Sequence, residues 1–492
     1  MRIAATFVLT VLGTLAMGLA AAQTPPDLPD IGNPAGALIT QSDEYQLGRQ
    51  IVRSLRDQNA IIDDPEINEY LQGLGSRLVA QAPDDSLRMN FFAVREGTIN
   101  AFALPGGFIG MNYGTVLATK NESELASVMA HEIAHVTQRH IARTIRAQGR
   151  QSIAQTAAIL AAILIGAMAG GGGDAMQGAI AIAQGAAAQQ QVNFTRANEY
   201  EADRVGIGFL AGAGFDPLAM PSFFETMSRR TGLAGTYLPE MILTHPVGAN
   251  RVAEARNRAQ QFERPKTHEA VSYALVRERI RVITAEGDGN LQQYYAKDSE
   301  SDPASDLGRK YGQALALMKA NKPQDAARIL HELVQKNEGQ TLLYIALGQA
   351  EVQGGLANDG IATFQRAMAL FPRNVPLTVR YAEALMTAGR AKDAHTVLLD
   401  LFNNVAPTPE QIRLTALAAS AAGDTGDAYF YMSEYHIASG DLLLAVQQLE
   451  LALAAPNLNG VQRGRFQARL DEIRDYLATV KVRRVSRDNE QR

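Results

Sequence analysis

The chain has 492 residues, of which 46% are apolar, and a formal net charge of -5. This length predicts two or three globular domains, and the slightly acidic balance argues against a nucleic-acid partner. Cysteine is absent, which excludes disulfides, thiolate metal sites, a cysteine nucleophile and a lipid-anchored cysteine.

The N-terminal segment, 1–22, has the pattern of a secretory signal peptide. One early arginine precedes an apolar run that ends in the small residues Ala20, Ala21 and Ala22. We predict cleavage after Ala22, the alternative being an uncleaved membrane anchor. A secreted chain without cysteine is expected in a bacterial periplasm. Residues 23–42 are rich in proline and glycine and are predicted to form an extended leader.

Residues 43–262 form the predicted domain that carries the chemistry. Within it, residues 91–116 are predicted to be strands joined by a Pro-Gly-Gly turn at 105–107. Residues 124–148 have apolar positions at helical spacing and no glycine or proline before Gly149, so a helix is predicted there.

The motif His-Glu-x-x-His lies on this predicted helix. His131 and His135 are one turn apart on one face, so both imidazoles can reach a single zinc ion. Glu132 is rotated by roughly 100° on a helix, so it borders the metal and is suited to act as a general base. His140 lies about 180° from His131 on a regular helix, and we interpret it as structural or surface-exposed.

A catalytic zinc site needs a third protein ligand, and a second pair of spaced side chains offers one. Glu199 and Asp203 are four residues apart on another helical pattern. Glu199 is predicted to complete a His, His, Glu ligand set for one Zn2+ per chain. Asp203 is predicted to orient a ligand imidazole, at His131 or His135. Glu201 is the weaker candidate, and a solvated helix face is the alternative for the whole pair.

Between these two helices, residues 153–191 are rich in alanine and glycine. The unbroken apolar run from Thr156 to about Ala169 is shorter than the ~20 residues that a spanning helix needs. We predict two helices joined by a flexible tip, packed on the domain or contacting a membrane peripherally. A membrane span is the alternative.

The C-terminal part repeats with the fixed period of the tetratricopeptide (TPR) motif, about 34 residues. After a linker at 263–306, a TPR domain is predicted at 307–480, with a basic tail at 481–492. The turn positions of the period are Asn321, Gly355, Gly389 and Gly423. A small residue follows each turn at a fixed offset, at Ala326, Gly360, Ala394 and Ala428, and then a larger apolar one, at Leu330, Phe364, Leu398 and Met432. Gly440 follows Gly423 after only half a period, which predicts one extra helix shared by two pairs.

The two motifs, "HEIAHVTQRH" and "NEYEADRVG", resemble those of the gluzincin peptidases related to HtpX and the CAAX prenyl proteases. Together with a signal peptide and a TPR tail, they resemble the BepA-type periplasmic zinc metalloproteases over nearly the whole mature chain. The resemblance implies that His131, His135 and Glu199 are the zinc ligands. It also implies a substrate-holding edge strand near residues 91–116, and a role in outer-membrane protein assembly that includes degrading stalled barrel precursors.

His245, in "LTHPVGANRV", matches a histidine that the resembling family is proposed to hold over the zinc as a plug. As a fourth ligand it closes the site, and as a hydrogen-bond donor it stabilises the oxyanion of the intermediate. A histidine that caps the helix starting near Gly248 is the third alternative. We favour the inhibitory ligand. Arg251 is either a contact of an oxyanion or carboxylate, or a surface arginine.

The predicted fold is mostly α, with a gluzincin-type α+β metallopeptidase domain followed by an all-α TPR solenoid. The predicted activity is zinc endopeptidase, with Glu132 as the general base and unfolded or misassembled proteins as substrates. The TPR domain is expected to dock outer-membrane assembly machinery. The alternative is an assembly chaperone or scaffold whose zinc site is largely latent.

Overall fold

A computed structural model describes residues 40–83, 88–143, 196–233, 241, 245, 247–265, 270–296 and 303–490. The predicted signal peptide, nearly all of the predicted leader and the predicted Ala-rich helices at 153–191 lie outside these ranges. Among the helices of the described ranges, none combines the length and the apolar character that crossing a membrane requires.

The described elements are mostly helices. The strands are β1 (Asn90–Val94), β2 (Ala101–Leu104) and β3 (Phe108–Asn112). The helices of the N-terminal part are α1 (Gln41–Asp57), α2 (Pro65–Val79), α3 (Tyr113–Ala118), α4 (Glu122–Thr137), α5 (Arg196–Gly212), α6 (Ala219–Leu233), α7 (Ala249–Ala259), α8 (Val271–Thr284) and α9 (Asp288–Ala296). The helices of the C-terminal part are α10 (Pro303–Lys319), α11 (Pro323–Lys336), α12 (Thr341–Gln353), α13 (Ala357–Leu370), α14 (Val375–Thr387), α15 (Ala391–Phe402), α16 (Pro409–Ala421), α17 (Thr425–Ser439), α18 (Leu442–Ala454) and α19 (Gly460–Glu490).

The strands form one small sheet in the order β1-β3-β2. β1 runs parallel to β3, and β2 runs antiparallel to it after the predicted turn, in which Gly106 and Gly107 have left-handed φ values of 76° and 83°. An isolated bridge from Ile61 to Val94 covers the outer edge of β1. β2 is therefore the edge strand of the sheet within the described residues, and it contacts α4. The expectation of strands through residue 116 is wrong at its end, because Tyr113–Ala118 is helical.

Helix α4 begins where the side chain of Asn121 caps it by accepting from the N–H of Glu124. It was expected to continue to residue 148, but it ends at Thr137. Arg139 adopts a left-handed φ of 52°, which breaks the helix, and a new helical stretch begins at His140. No glycine or proline marks this break, so the sequence pattern does not reveal it.

The sheet and the helices around α4 enclose one apolar core. Leu125, Met129 and Ile133 of α4 meet Ile207 and Leu210 of α5 within it. Helix α5 approaches α4 closely at Gly206, where a Cβ atom would lie 3.1 Å from the carbonyl oxygen of Ala130. This close approach brings the side chains of α5 next to those of α4.

The C-terminal helices form the predicted TPR solenoid. Its turns at Asn321, Gly355, Gly389 and Gly423 all have left-handed φ values, between 57° and 85°. Ala326, Leu330, Phe364, Ala394 and Leu398 are completely buried between the helices, as the repeat pattern predicts. Helix α17 packs against both α16 and α18, which confirms the predicted shared helix. In this last unit Phe430 is buried and Met432 is only partly buried, so the predicted apolar position shifts.

Helix α8 packs along α10, the first helix of the solenoid, and two further groups of polar contacts join the solenoid to the N-terminal part. At the first, Arg380 of α14 donates to Glu66 and Asp64 at 2.9 Å, and Arg279 of α8 donates to Asp64 at 2.7 and 2.8 Å. All four side chains are at most 15% exposed, so this is a buried, charge-balanced cluster. Burial alone would raise the pKa of Asp64, but Arg279 and Arg380 lower it, whereas burial raises that of Glu66.

At the second place, α1 contacts the solenoid at α16 and around the turn between α17 and α18. Arg49 donates to the carbonyl oxygens of Ile437 and Ala438, at 2.9 and 3.1 Å. Arg53 lies 3.2 Å from Asp441, and Arg56 lies 3.1 Å from Glu410. These contacts hold α1, the first helix of the described chain, against the solenoid.

Candidate metal centre

Three elements bring buried polar side chains together at the centre of the N-terminal part. Helix α4 supplies His131, Glu132 and His135, α5 supplies Glu199 and Asp203, and the segment before α7 supplies His245. Each of these six side chains is at most 5% exposed. Burial of this many ionisable groups is costly unless they are paired or bind a cation.

The possible ligand atoms converge on one point. His131, His135, Glu199 and His245 each offer one atom, and these atoms lie within 4.8 Å of one another. The two Nε2 atoms of His131 and His135 are 3.0 Å apart, and each lies 3.5 Å from a carboxylate oxygen of Glu199. Imidazole nitrogens and a carboxylate that point at one another in this way fit a cation, which satisfies all their lone pairs.

His245 lies inside this group and does not cap α7. Its Nδ1 is 3.0 Å from Glu199 Oε1 and 3.3 Å from His131 Nε2, while its Nε2 is 3.6 Å from Glu132 Oε1. Both ring nitrogens of His245 thus face this group, and the N-cap residue of α7 is Gly248, so the alternative of a helix-capping histidine finds no support. The position fits a fourth ligand.

Glu132 borders the group, as its rotation on the helix predicts. It is completely buried, and neither of its carboxylate oxygens accepts a hydrogen bond from any described residue. A buried carboxylate with free lone pairs is able to accept a proton from a small molecule beside it.

Asp203 and Arg251 form a buried pair behind the ligand atoms. Asp203 Oδ1 lies 3.0 Å from His131 Nδ1, on the opposite side of the ring from the converging nitrogens. Arg251 donates to both oxygens of Asp203 at 2.8 Å, and its Nη1 lies 2.9 Å from Glu199 Oε2. Arg251 is therefore a carboxylate contact and is not on the surface.

His140 contacts the second imidazole, and Glu201 contacts His140 in turn. His140 is completely buried, and its Nδ1 lies 2.8 Å from the Nδ1 of His135. Its Nε2 lies 3.2 Å from Glu201, to which Arg143 also donates at 2.7 Å. The sequence pattern led us to interpret His140 as structural or surface-exposed, and to treat Glu201 only as the weaker ligand candidate; the structure excludes the exposed alternative for His140. The left-handed turn at Arg139, which brings His140 back toward the helix, is not visible in the sequence.

The electrostatics of the group suit a cation. Burial by itself lowers the pKa of His131, but contacts with Asp203 and Glu199 raise it to about 10. Burial and the neighbouring His131 hold the pKa of His135 well below its usual range. Burial alone would raise the pKa of Glu199, yet His245 and His131 hold it well below the usual range. Positive charge thus sits among these carboxylates, and a bound metal ion supplies charge of the same sign.

Comparisons with known proteins agree with this arrangement. The family model of peptidase family M48 matches residues 65–259, which include every side chain of this candidate metal centre. A beta-barrel assembly-enhancing protease of Yersinia pestis is 34% identical, over 91% of this chain and 91% of its own length. The protein of that name from Escherichia coli K12 is 32% identical, over 95% and 96% respectively. The mitochondrial metalloendopeptidase OMA1 of Arabidopsis thaliana is 28% identical, over 39% of this chain and 36% of its own length.

Proposed function

The chain belongs to peptidase family M48, among the beta-barrel assembly-enhancing proteases, and on this premise we propose that it is a zinc endopeptidase of the bacterial periplasm. We further propose that it cleaves misassembled precursors of outer-membrane barrels. The observation that carries the proposal is the convergence of His131, His135 and Glu199 beside the carboxylate of Glu132, which accepts no hydrogen bond from the described residues.

The proposed ligands are His131, His135 and Glu199. Zinc, when bound, would polarise the scissile carbonyl and make water a stronger acid. Glu132 accepts the proton of the attacking water and then donates it to the departing amine. Asp203, held by Arg251, fixes the ring of His131 so that its Nε2 faces the ligand group.

Strand β2 is the proposed support for the substrate. It forms the edge of the sheet within the described residues, and it lies against α4. An extended peptide can add to such an edge through main-chain hydrogen bonds, which place little demand on its sequence. Unfolded barrel precursors, which expose extended chain, fit this mode of recognition. The concave face of the solenoid is the proposed docking site for the assembly machinery.

The proposed role of His245 is inhibitory. Its Nδ1 lies 3.0 Å from Glu199 and 3.3 Å from His131 Nε2, among the proposed ligand atoms, so as a fourth ligand it would fill the position that a substrate carbonyl needs. A fourth protein ligand closes a zinc site, whereas catalytic sites keep one position open. We expect His245→Ala to cleave casein faster than the wild-type protein. A slower variant would instead favour His245 as a donor to the oxyanion.

The same observation supports an alternative function. A site closed by His245 suits an assembly chaperone or scaffold whose peptidase activity is largely latent. Zinc content and casein cleavage of the mature protein, each compared with Glu132→Gln, test the enzyme directly. Glu132→Gln should retain zinc and lose cleavage, by roughly 100-fold or more. If cells that carry Glu132→Gln assemble outer-membrane barrels normally, the scaffold is the better description.

A further inference from the structure

The end of helix α4 turns back on itself. The N–H of Gln138 donates to Ala134 O and that of Arg139 to Val136 O, each at 2.9 Å, which closes the helix. Arg139 then takes its left-handed φ of 52°, a conformation that residues other than glycine rarely adopt. On a continuous helix, His140 would point roughly 140° away from His135. The turn instead brings the ring of His140 against that of His135.

The contact leaves one consistent arrangement of protons. Two ring nitrogens 2.8 Å apart, the Nδ1 atoms of His135 and His140, need one proton between them. If Nε2 of His135 offers its lone pair to a metal, its Nδ1 carries the proton and donates to His140. The neutral ring of His140 then carries its own proton on Nε2, which lies 3.2 Å from Glu201. Each nitrogen and the carboxylate therefore has one role in a chain of hydrogen bonds.

The other histidine of the motif has a comparable support. His131 is backed by Asp203, which Arg251 holds with two hydrogen bonds. His135 is backed by His140, which leads to Glu201, and Arg143 in turn donates to Glu201. In both cases a carboxylate paired with an arginine stands behind the imidazole, directly at His131 and through a second ring at His135.

We propose that His140 and Glu201 are positioning residues for His135, fixing its tautomer and ring orientation so that Nε2 binds the metal. This inference rests on the proposed function, because it takes His135 to be a ligand. Partners of this kind typically affect metal affinity by 10- to 100-fold when removed. Neither residue touches substrate or metal in this arrangement.

The test is the zinc dissociation constant of the full-length mature protein, measured by chelator competition. We expect His140→Ala to bind zinc roughly 10- to 100-fold more weakly, and Glu201→Ala to be weakened in the same direction by a smaller factor. His140→Gln should recover most of the affinity, because its amide can accept from His135 and donate to Glu201. The visible absorption of the cobalt-substituted protein should shift in His140→Ala and return toward the wild-type spectrum in His140→Gln.

Two control variants separate positioning from general damage. His331→Ala breaks a contact with Glu351 in the solenoid, and Arg204→Ala removes an exposed side chain of α5 that donates only to its own helix. Both should bind zinc like the wild-type protein. If His140→Ala does not fold, Glu201→Ala decides the question. Zinc affinities within roughly twofold of wild type in the folded His140→Ala and Glu201→Ala variants overturn the inference. A wild-type protein that binds no zinc overturns the proposed function instead.

Discussion

Arg251 is a buried cation that contacts two carboxylates of α5, those of Asp203 and Glu199. Its guanidinium makes three contacts of 2.8–2.9 Å with Asp203 and Glu199 and is 5% exposed. Arg251→Ala leaves Asp203 beside His131, and Glu199 beside His131 and His245. Removing one member of a buried ion pair typically destabilises a protein by about 3–5 kcal/mol, since the charge left behind is uncompensated. We expect a loss in this range for the metal-free protein.

Zinc should reduce this loss. A bound divalent cation neutralises the charges of Asp203 and Glu199. Zinc should therefore stabilise Arg251→Ala, in which these charges are uncompensated, more than it stabilises the wild-type protein. Urea unfolding followed by circular dichroism, once with a chelator and once with zinc, measures both values. The transition that moves to higher urea on adding zinc reports the N-terminal part, because a ligand stabilises only the unit that binds it.

Two further variants sharpen the assay. Arg256→Ala lies on the same helix and breaks a largely exposed pair with Glu225, so it should lose less than about 1 kcal/mol. Arg251→Lys keeps the charge but cannot form the two-pronged contact with Asp203, so its loss should be intermediate. If Arg251→Ala loses no more than Arg256→Ala, or if zinc leaves its deficit unchanged, the reasoning about the buried carboxylates is refuted.

Two other predictions concern the solenoid. Arg380→Ala should lower the free energy of unfolding by roughly 3 kcal/mol and separate the unfolding of the solenoid from that of the N-terminal part. The control Arg328→Ala breaks an exposed pair and should change the free energy of unfolding by less than about 1 kcal/mol. A single unchanged transition for Arg380→Ala would contradict this. Burial lowers the pKa of His395, so the folded state binds fewer protons than the unfolded state below pH 6.5, and stability should fall on acidification through that value. His395→Gln should remove this contribution to the pH dependence of the free energy of unfolding, which is at most about 1.4 kcal/mol per pH unit. If the free energy of unfolding depends on pH identically in the wild-type protein and in His395→Gln, His395 makes no such contribution.

The ligand group was predictable because its geometry is local. The spacing of His131 and His135, and of Glu199 and Asp203, fixes one face of each helix whatever the rest of the chain does. The solenoid was predictable for the same reason, since its turns recur at one fixed period and each repeat contacts its neighbours. Periodicity carries this information without any knowledge of long-range contacts.

Apart from the contact of Asp203 with His131, the supporting contacts were not predictable, because they depend on backbone and tertiary geometry. The role of His140 requires the positive φ of Arg139, which no proline or glycine announces. Arg251 meets Asp203, and Arg380 meets Asp64, across long stretches of intervening chain. Such pairs leave no periodic signal in a single sequence. The sequence therefore left two alternatives for Arg251, a carboxylate contact and a surface arginine.

The two attachments of the solenoid limit the partners that it can accommodate. Arg380 fastens it at α14, and Arg49 and Arg53 of α1 fasten it near Gly440, so the span between is bridged by the N-terminal part. A solenoid of stacked repeats that is free to flex can widen its concave side to bind a bulky partner. In this protein, the contacts of Arg380 or those of α1 have to break before the concave side can widen. A partner that needs the wider opening therefore binds with an apparent affinity that is reduced in proportion to the fraction of molecules in which the contact is already broken. We therefore expect extended chains to bind this surface more tightly than folded domains.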